Sequence, residues 1–258
     1  MSSGPWRLDS RRRCAANRPE VRLAKSNRLK RSFLRRLAGT LALAGLLWLA
    51  LSLGAVVALR WLDPPTTMVM LLQPGPVGEL EYTWVDRDEI AWNAARAVIA
   101  SEDQRFIEHR GIDFVSLDRA LEDYRGGDDL RGASTITQQV AKNLFLWQGR
   151  SLARKALEAY FAVLLELILT KERILEVYLN VAEFGPGVFG VEAAADMYFG
   201  SSASALSLEQ AALLAAVLPN PRRLLAARPS DYVHERQLQI VEQVLLLESR
   251  GHYRGIDW

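Results

Sequence analysis

The sequence predicts a mainly α-helical domain carried behind a single membrane-spanning helix, and three observations carry that expectation. Leu37 to Leu59 is a run of 23 residues without one charge. From Asp88 onward, apolar residues recur at the three- and four-residue spacing of helices, punctuated by Ser, Gly and Pro at positions suited to helix ends. Alternating strand-like stretches are few, and no internal repeat occurs.

The chain has 258 residues, half of them hydrophobic and 24% charged, which suits one globular domain with an appendage. A net charge of +2 hides a strong asymmetry. Residues 1–36 hold 12 Lys or Arg against Asp9 and Glu20, leaving 20 bases against 28 acids in the remainder. The folded part is therefore acidic, and nucleic acid is disfavoured as a partner. One cysteine, Cys14, excludes an intrachain disulfide and any Cys-cluster metal site.

In order, residues 1–36 form a basic tail with no helical apolar stripe and read as disordered. Residues 37–60 follow as the transmembrane helix. At about 1.5 Å per residue its uncharged run spans roughly 34 Å, enough for a hydrocarbon core of about 30 Å. Arg60 and Trp61 come directly after it where a cleaved signal peptide would show small residues, so the helix is read as an uncleaved anchor. Arg28, Lys30, Arg31, Arg35 and Arg36 crowd its N-terminal side, which places the tail in the cytoplasm and everything after residue 60 outside it. Residues 61–86 carry four prolines and read as a linker with one short strand near Met68 to Leu72.

The domain occupies residues 87–258. An apolar stripe, Ile90, Ala94, Ala97 and Val98, leads into Glu102. A second helix begins after Asp113 and ends at Gly126–Gly127; Ser134 caps a third and Ser151 a fourth. Ser207 with Gln210 forms a capping box, and Pro219 and Pro221 stop the helix it opens. The last long helix runs from about Ser230 to Arg250 and stops at Gly251.

Four segments concentrate side chains able to do chemistry. Glu102–Asp103 ends an apolar helix. Adjacent helical residues point about 100° apart, so only one of the two carboxylates can face a given pocket. A plain surface helix end is the alternative reading. His109 has no second His at metal spacing and reads as structural. Beyond Ser134, Gln138 and Lys142 fall on one helical face with Thr135, Gln139 and Asn143 beside them, opposite Ile136 and Val140. Amides, hydroxyls and one Lys suit a sugar phosphate, and the helix N-terminus offers N–H groups to an anion. A merely solvated face would more commonly carry Glu and Lys. Arg150, Arg154, Lys155 and Glu158 follow. They are either an intrahelical ion pair or a diphosphate clamp around a carboxylate. The Leu144–Trp147 run either packs or dips into a bilayer.

These segments resemble, in order, the glycosyltransferase domain of bacterial peptidoglycan polymerases, the family 51 glycosyltransferases. E-D-x-x-F-x-x-H-x-G matches Glu102 to Gly111, and G-x-S-T-I-T-Q-Q-x-x-K-N matches Gly132 to Asn143. R-K-x-x-E matches Arg154 to Glu158, and I-L-E-x-Y-L-N matches Ile174 to Asn180. A-E-F-G-P-G-V-F-G-V-E-A-A-A is most similar to the monofunctional members. No S-x-x-K or K-T-G occurs, so transpeptidation is not expected.

The resemblance implies a lysozyme-like glycosyltransferase fold in the periplasm, tethered to the inner membrane. It implies a growing glycan on undecaprenyl pyrophosphate as donor and lipid II as acceptor. Glu102 matches the family's catalytic glutamate and takes the role of general base. Lys142, Arg150 and Arg154 would neutralise the leaving pyrophosphate. Glu158 would act with them, orienting them or helping to hold a divalent cation, Mg or Mn. Ser134, Thr135, Gln138, Gln139, Asn143 and Lys155 would position substrate. No organic cofactor is expected, and other cell-wall synthesis proteins are candidate partners. Two rival readings stay open: a peptidoglycan-cleaving lytic transglycosylase, and an inactive membrane-tethered scaffold.

Overall fold

The computed structural model describes residues 19–73, 80–126, 134–149 and 151–258. The described residues fall into two units divided after Leu51. The first helix, α1, runs from Pro19 to Ala58. Within it Phe33–Ala58 is 26 residues of mean hydropathy 2.3, long and apolar enough to cross a membrane. The helix thus begins well before Leu37, in a stretch read from sequence as disordered. Ala, Leu, Lys and Arg there are good helix formers, and a helix nucleated by the apolar run propagates into them at little cost. Residues 1–18 of the tail lie outside the described residues.

The end of α1 and the stretch after it are not a free linker. Ser52 Oγ and Tyr160 Oη are 2.6 Å apart, and Val56 and Leu59 are buried. Arg173 donates to the carbonyls of Leu59 (2.8 Å) and Leu62 (3.2 Å) and pairs with Asp63 at 2.7 Å. The apolar patch expected as a strand is the short helix α2 (Met68–Leu71), capped by Thr67. Its buried Val69 and Met70 meet Phe189 in a small second core. The strand lies further on, at β1 (Glu81–Tyr82).

The domain helices are α3 (Trp92–Glu102), α4 (Phe114–Gly126), α5 (Ile136–Phe145), α6 (Leu152–Ile168), α7 (Lys171–Val181), α8 (Val191–Phe199), α9 (Leu208–Val217) and α10 (Asp231–Ser249). Between α7 and α8 lie β2 (Glu183–Gly185) and β3 (Val188–Phe189). The three strands form one sheet in the order β1-β3-β2, with β1 parallel and β2 antiparallel to β3. Helix α7 is central: every residue from Ile174 to Val181 is buried, and it packs on α5, α6 and α3. Alanine-rich α9 sits between α3 and α10, its small side chains allowing close approach.

The I-L-E-V-Y-L-N motif of α7 is largely architectural. Asn180 donates to the Val85 carbonyl (2.9 Å) and accepts from the Val85 N–H (3.0 Å), as a strand neighbour would. Glu176 accepts from the Arg87 N–H and from Arg173. Gly190 has φ +86°, and a Cβ there would meet the Asn180 carbonyl oxygen at 2.8 Å, so only glycine lets β3 turn into α8.

Candidate active site

The last turn of α3 separates two adjacent acids by direction. Asp103 turns inward, where it is buried. Its oxygens sit 2.9 and 3.0 Å from His109 Nε2, and Oδ2 accepts the Ile136 N–H at 3.0 Å. One carboxylate thereby ties the chain after α3 to the first turn of α5, and His109 is structural. Gly111 completes the tie: its carbonyl accepts from Thr135 Oγ1 at 2.6 Å. Its φ is +86°, and a Cβ would lie 2.9 Å from the Ala162 carbonyl oxygen.

Glu102 turns the other way, half-buried in the wall of a cleft. Gln139 Nε2 donates to its Oε2 at 2.8 Å, and Gln139 Oε1 in turn accepts from the Tyr178 hydroxyl at 3.3 Å. Burial raises the Glu102 pKa above its ordinary value. The Gln139 hydrogen bond and the charges of Arg236 and Lys142 pull it back, while Asp103 adds to the rise. Burial likewise keeps Tyr178 a neutral phenol by pushing its pKa well up. The result is a carboxylate fixed by a neutral donor, with raised proton affinity and an open side.

Helix α5 is capped by Thr135, not by Ser134. Thr135 Oγ1 accepts the Gln138 N–H (3.1 Å), and Gln138 Oε1 accepts the Thr135 N–H (3.1 Å), a closed capping box. Thr comes second in the S-T pair, and only its register places a Gln three residues on. Thr135 is thus consumed in structure, and Gln138 has only its amide nitrogen left for the cleft. Ser134 is displaced to the cleft wall, where its Oγ accepts from Lys155 Nζ at 3.0 Å. Lys142 lies between the acids: burial lowers its pKa, Glu158 and Glu102 oppose that, and Arg154 and Lys155 reinforce it. Asn143 lines the cleft, but its amide reaches across to the Val181 carbonyl at 3.5 Å.

Helix α6, capped by Ser151, supplies the cationic end. Arg154 Nη1 donates to Glu158 Oε2 at 2.6 Å, and Lys155 Nζ donates to Glu158 Oε1. Glu158 is 3% exposed, so both its oxygens are occupied inside the wall. Arg150 lies outside the described residues. Glu102, Ser134, Gln138, Gln139, Lys142, Asn143, Arg154, Lys155 and Glu158 all border one cleft of about 1290 Å³. The cleft continues past Val69, Phe189 and Pro219–Arg222.

Residues 73–245 match the family described as Transglycosylase. The chain belongs to that family. The biosynthetic peptidoglycan transglycosylase of Pseudomonas syringae pv. syringae is 48% identical over 219 residues, covering 82% of this chain and 93% of its own. Its counterpart in Pseudomonas aeruginosa is 50% identical over 206 residues, with 77% and 89% covered. That of a Marinomonas species is 54% identical over 180 residues, with 69% and 77% covered.

Several residues shape the transglycosylase cleft that sequence reasoning passed over. Tyr178 sits in a quoted motif, yet nothing in a linear pattern says it supports Gln139. Thr137 Oγ1 donates to Glu166 Oε1 (2.6 Å), which also accepts from Lys171 (2.8 Å). Lys171 lies 4.3 Å from the Phe106 ring centroid, which ties α5, α6 and α7 behind the site. Arg222 and Gln73 meet at Glu183, at 3.1 and 3.0 Å. Helix α10 brings Tyr232, Glu235, Arg236 and Gln239 to the cleft from far along the chain. Of the Leu144–Trp147 run, Leu144 and Leu146 are buried and Phe145 stacks on Phe161 at 4.4 Å, leaving Trp147 exposed. Packing accounts for all but that last ring.

Among the described residues no group of three or more His, Cys, Asp or Glu could hold a metal ion. Glu158 faces two side-chain cations, Arg154 and Lys155.

Proposed function

We propose that this transglycosylase polymerises lipid II into β-1,4 glycan strands, with Glu102 as general base and release of undecaprenyl pyrophosphate. The observation that carries the reading is the pairing, in one cleft, of a half-buried carboxylate that has no ion pair among the described residues and a separate cluster of cations. The acceptor sugar's 4-hydroxyl attacks C1 of the donor sugar. Its proton passes to Glu102, the O4–C1 bond forms, and the bond from C1 to the pyrophosphate oxygen breaks with inversion. A pyrophosphate leaves as an anion and needs neutralisation rather than a proton. Lys142, Arg154 and Lys155 stand where that charge develops, and Glu158 holds Arg154 and Lys155 in place. A glycosidase needs a second, protonated acid at this point; both oxygens of Glu158 instead accept hydrogen bonds from Arg154 and Lys155.

Both substrates are lipid-linked, so the apolar helix raises their effective concentration at the domain. The basic flank of that helix supports a cytoplasmic N-terminus and a periplasmic domain. The deciding experiment is polymerisation of labelled lipid II by the purified full-length chain, resolved on a gel. Ladder products from the wild type and none from Glu102→Gln support the proposal. Soluble muropeptides released from purified sacculi, without ladders, would replace it with the lytic reading.

A further inference from the structure

Glu102 is poorly placed to be charged: it is half-buried, it follows Ser101 in the last turn of α3, and Asp103 is next to it. Helix C-termini carry unsatisfied carbonyls and a partial negative charge that disfavours a carboxylate. A general base must nevertheless be ionised before it can take a proton. Something has to offset three unfavourable influences.

The motifs supply part of the offset. Gln139 of α5 gives one neutral hydrogen bond, and Tyr178 of α7 supports Gln139 from behind. Lys142 of α5 is shared with Glu158, Arg154 and Lys155. Among the described residues, α10, which belongs to none of the motifs, brings two further charged groups to this side of the cleft. These are Arg236 and Glu235, both bordering the cleft.

Arg236 Nη2 donates to the Ser101 carbonyl at 3.4 Å, against the negative end of α3, and Nη1 donates to Gln239 Oε1 at 3.3 Å. No ion pair to Arg236 occurs among the described residues, so its charge is not shared with an acid. Its attraction for Glu102 ranks ahead of that of Lys142. Glu235 is exposed and bonds along its own helix through Gln239 at 3.5 Å.

We infer that Arg236 is the positioning residue of the general base. It docks α10 on the end of α3 and keeps Glu102 charged from beside that helix end, completing from a distant part of the chain what the motifs leave undone. The inference rests on the reading of Glu102 as base in lipid II polymerisation.

The test is the pH dependence of kcat/KM for lipid II with the full-length chain, its Arg236→Gln and Arg236→Lys variants. With Gln, the acidic limb moves up by roughly one unit. Activity is then lost most at low pH and returns toward the wild-type plateau as pH rises. Lys keeps the limb near its original position. A uniform loss at every pH, or no change, overturns the inference. Wild-type protein that makes no glycan overturns the functional reading instead. Carbodiimide labelling of Glu102 against pH, read by mass spectrometry, checks the same point without turnover. Labelling should persist to higher pH in Arg236→Gln, and an unmoved profile counts against the inference. Arg236→Met keeps the packing of the stem and serves for both measurements if the Gln variant does not fold.

Discussion

The two glutamates of the cleft are the same side chain in opposite surroundings. Glu158 is buried between Arg154 and Lys155, with each oxygen committed to a cation. Among the described residues Glu102 has no ion pair; one neutral amide orients it, and burial raises its proton affinity. A carboxylate clamped by two cations is a scaffold that holds positive charge in place. One held by a neutral donor in a low-dielectric wall keeps a raised affinity for a proton. In the proposed mechanism the cleft divides proton transfer and charge neutralisation between these two glutamates, and environment rather than residue type makes the division.

Removing the charge at each end gives the sharpest break of this comparison. Glu102→Gln preserves shape and can still accept from Gln139 through its carbonyl, yet takes no proton. Lipid II turnover should fall about 10³-fold, mostly in kcat. Glu158→Gln should lower kcat/KM by about 10²-fold by a different route, leaving Arg154 and Lys155 without their anion. Breaking a buried pair from one side also destabilises, so its melting temperature should drop as well. Equal losses in kcat and unchanged melting for both variants would show that the two ends do not differ.

The linear pattern shows the helices and most of their stops because those are local: Asp113, Ser151, Ser207 and Ser230 cap within three residues of themselves. It also picks out segments that the fold brings to one cleft. It does not show how those residues divide the work. Thr135 and Gln138 look like ligands in a polar face, and their mutual capping box becomes visible only with the register settled. Asp103 and His109, six residues apart, reach Ile136 across 33 positions of chain. Arg236 lies 135 residues from the carbonyl it binds. Local propensity cannot encode such distances; packing of α9 between α3 and α10 creates them.

A smaller effect is expected at Gln139. Gln139→Leu removes the donor that favours the charged form of Glu102, so the carboxyl's pKa rises further. The acidic limb of kcat/KM should move up, with roughly three- to tenfold loss at neutral pH that shrinks at high pH. Tyr178→Phe, one step further back, should move the limb in the same direction but less. A limb unmoved in Gln139→Leu would mean that the amide orients substrate rather than the base.

The smallest expected effect carries the opposite sign from most active-site mutations. A carboxyl whose pKa is raised in the folded state binds a proton more tightly there than in the unfolded chain. Folding is therefore opposed by this group at neutral pH and relieved as pH falls through its raised pKa. Glu102→Gln removes the opposition, so the variant should melt a few degrees higher than wild type at neutral pH. The difference should close in acid, where wild-type Glu102 is itself protonated. Glu158→Gln should show no such gain. A Glu102→Gln protein less stable than wild type at neutral pH would mean that Gln139 and the facing cations already stabilise the charge fully, and that the base is not held under strain.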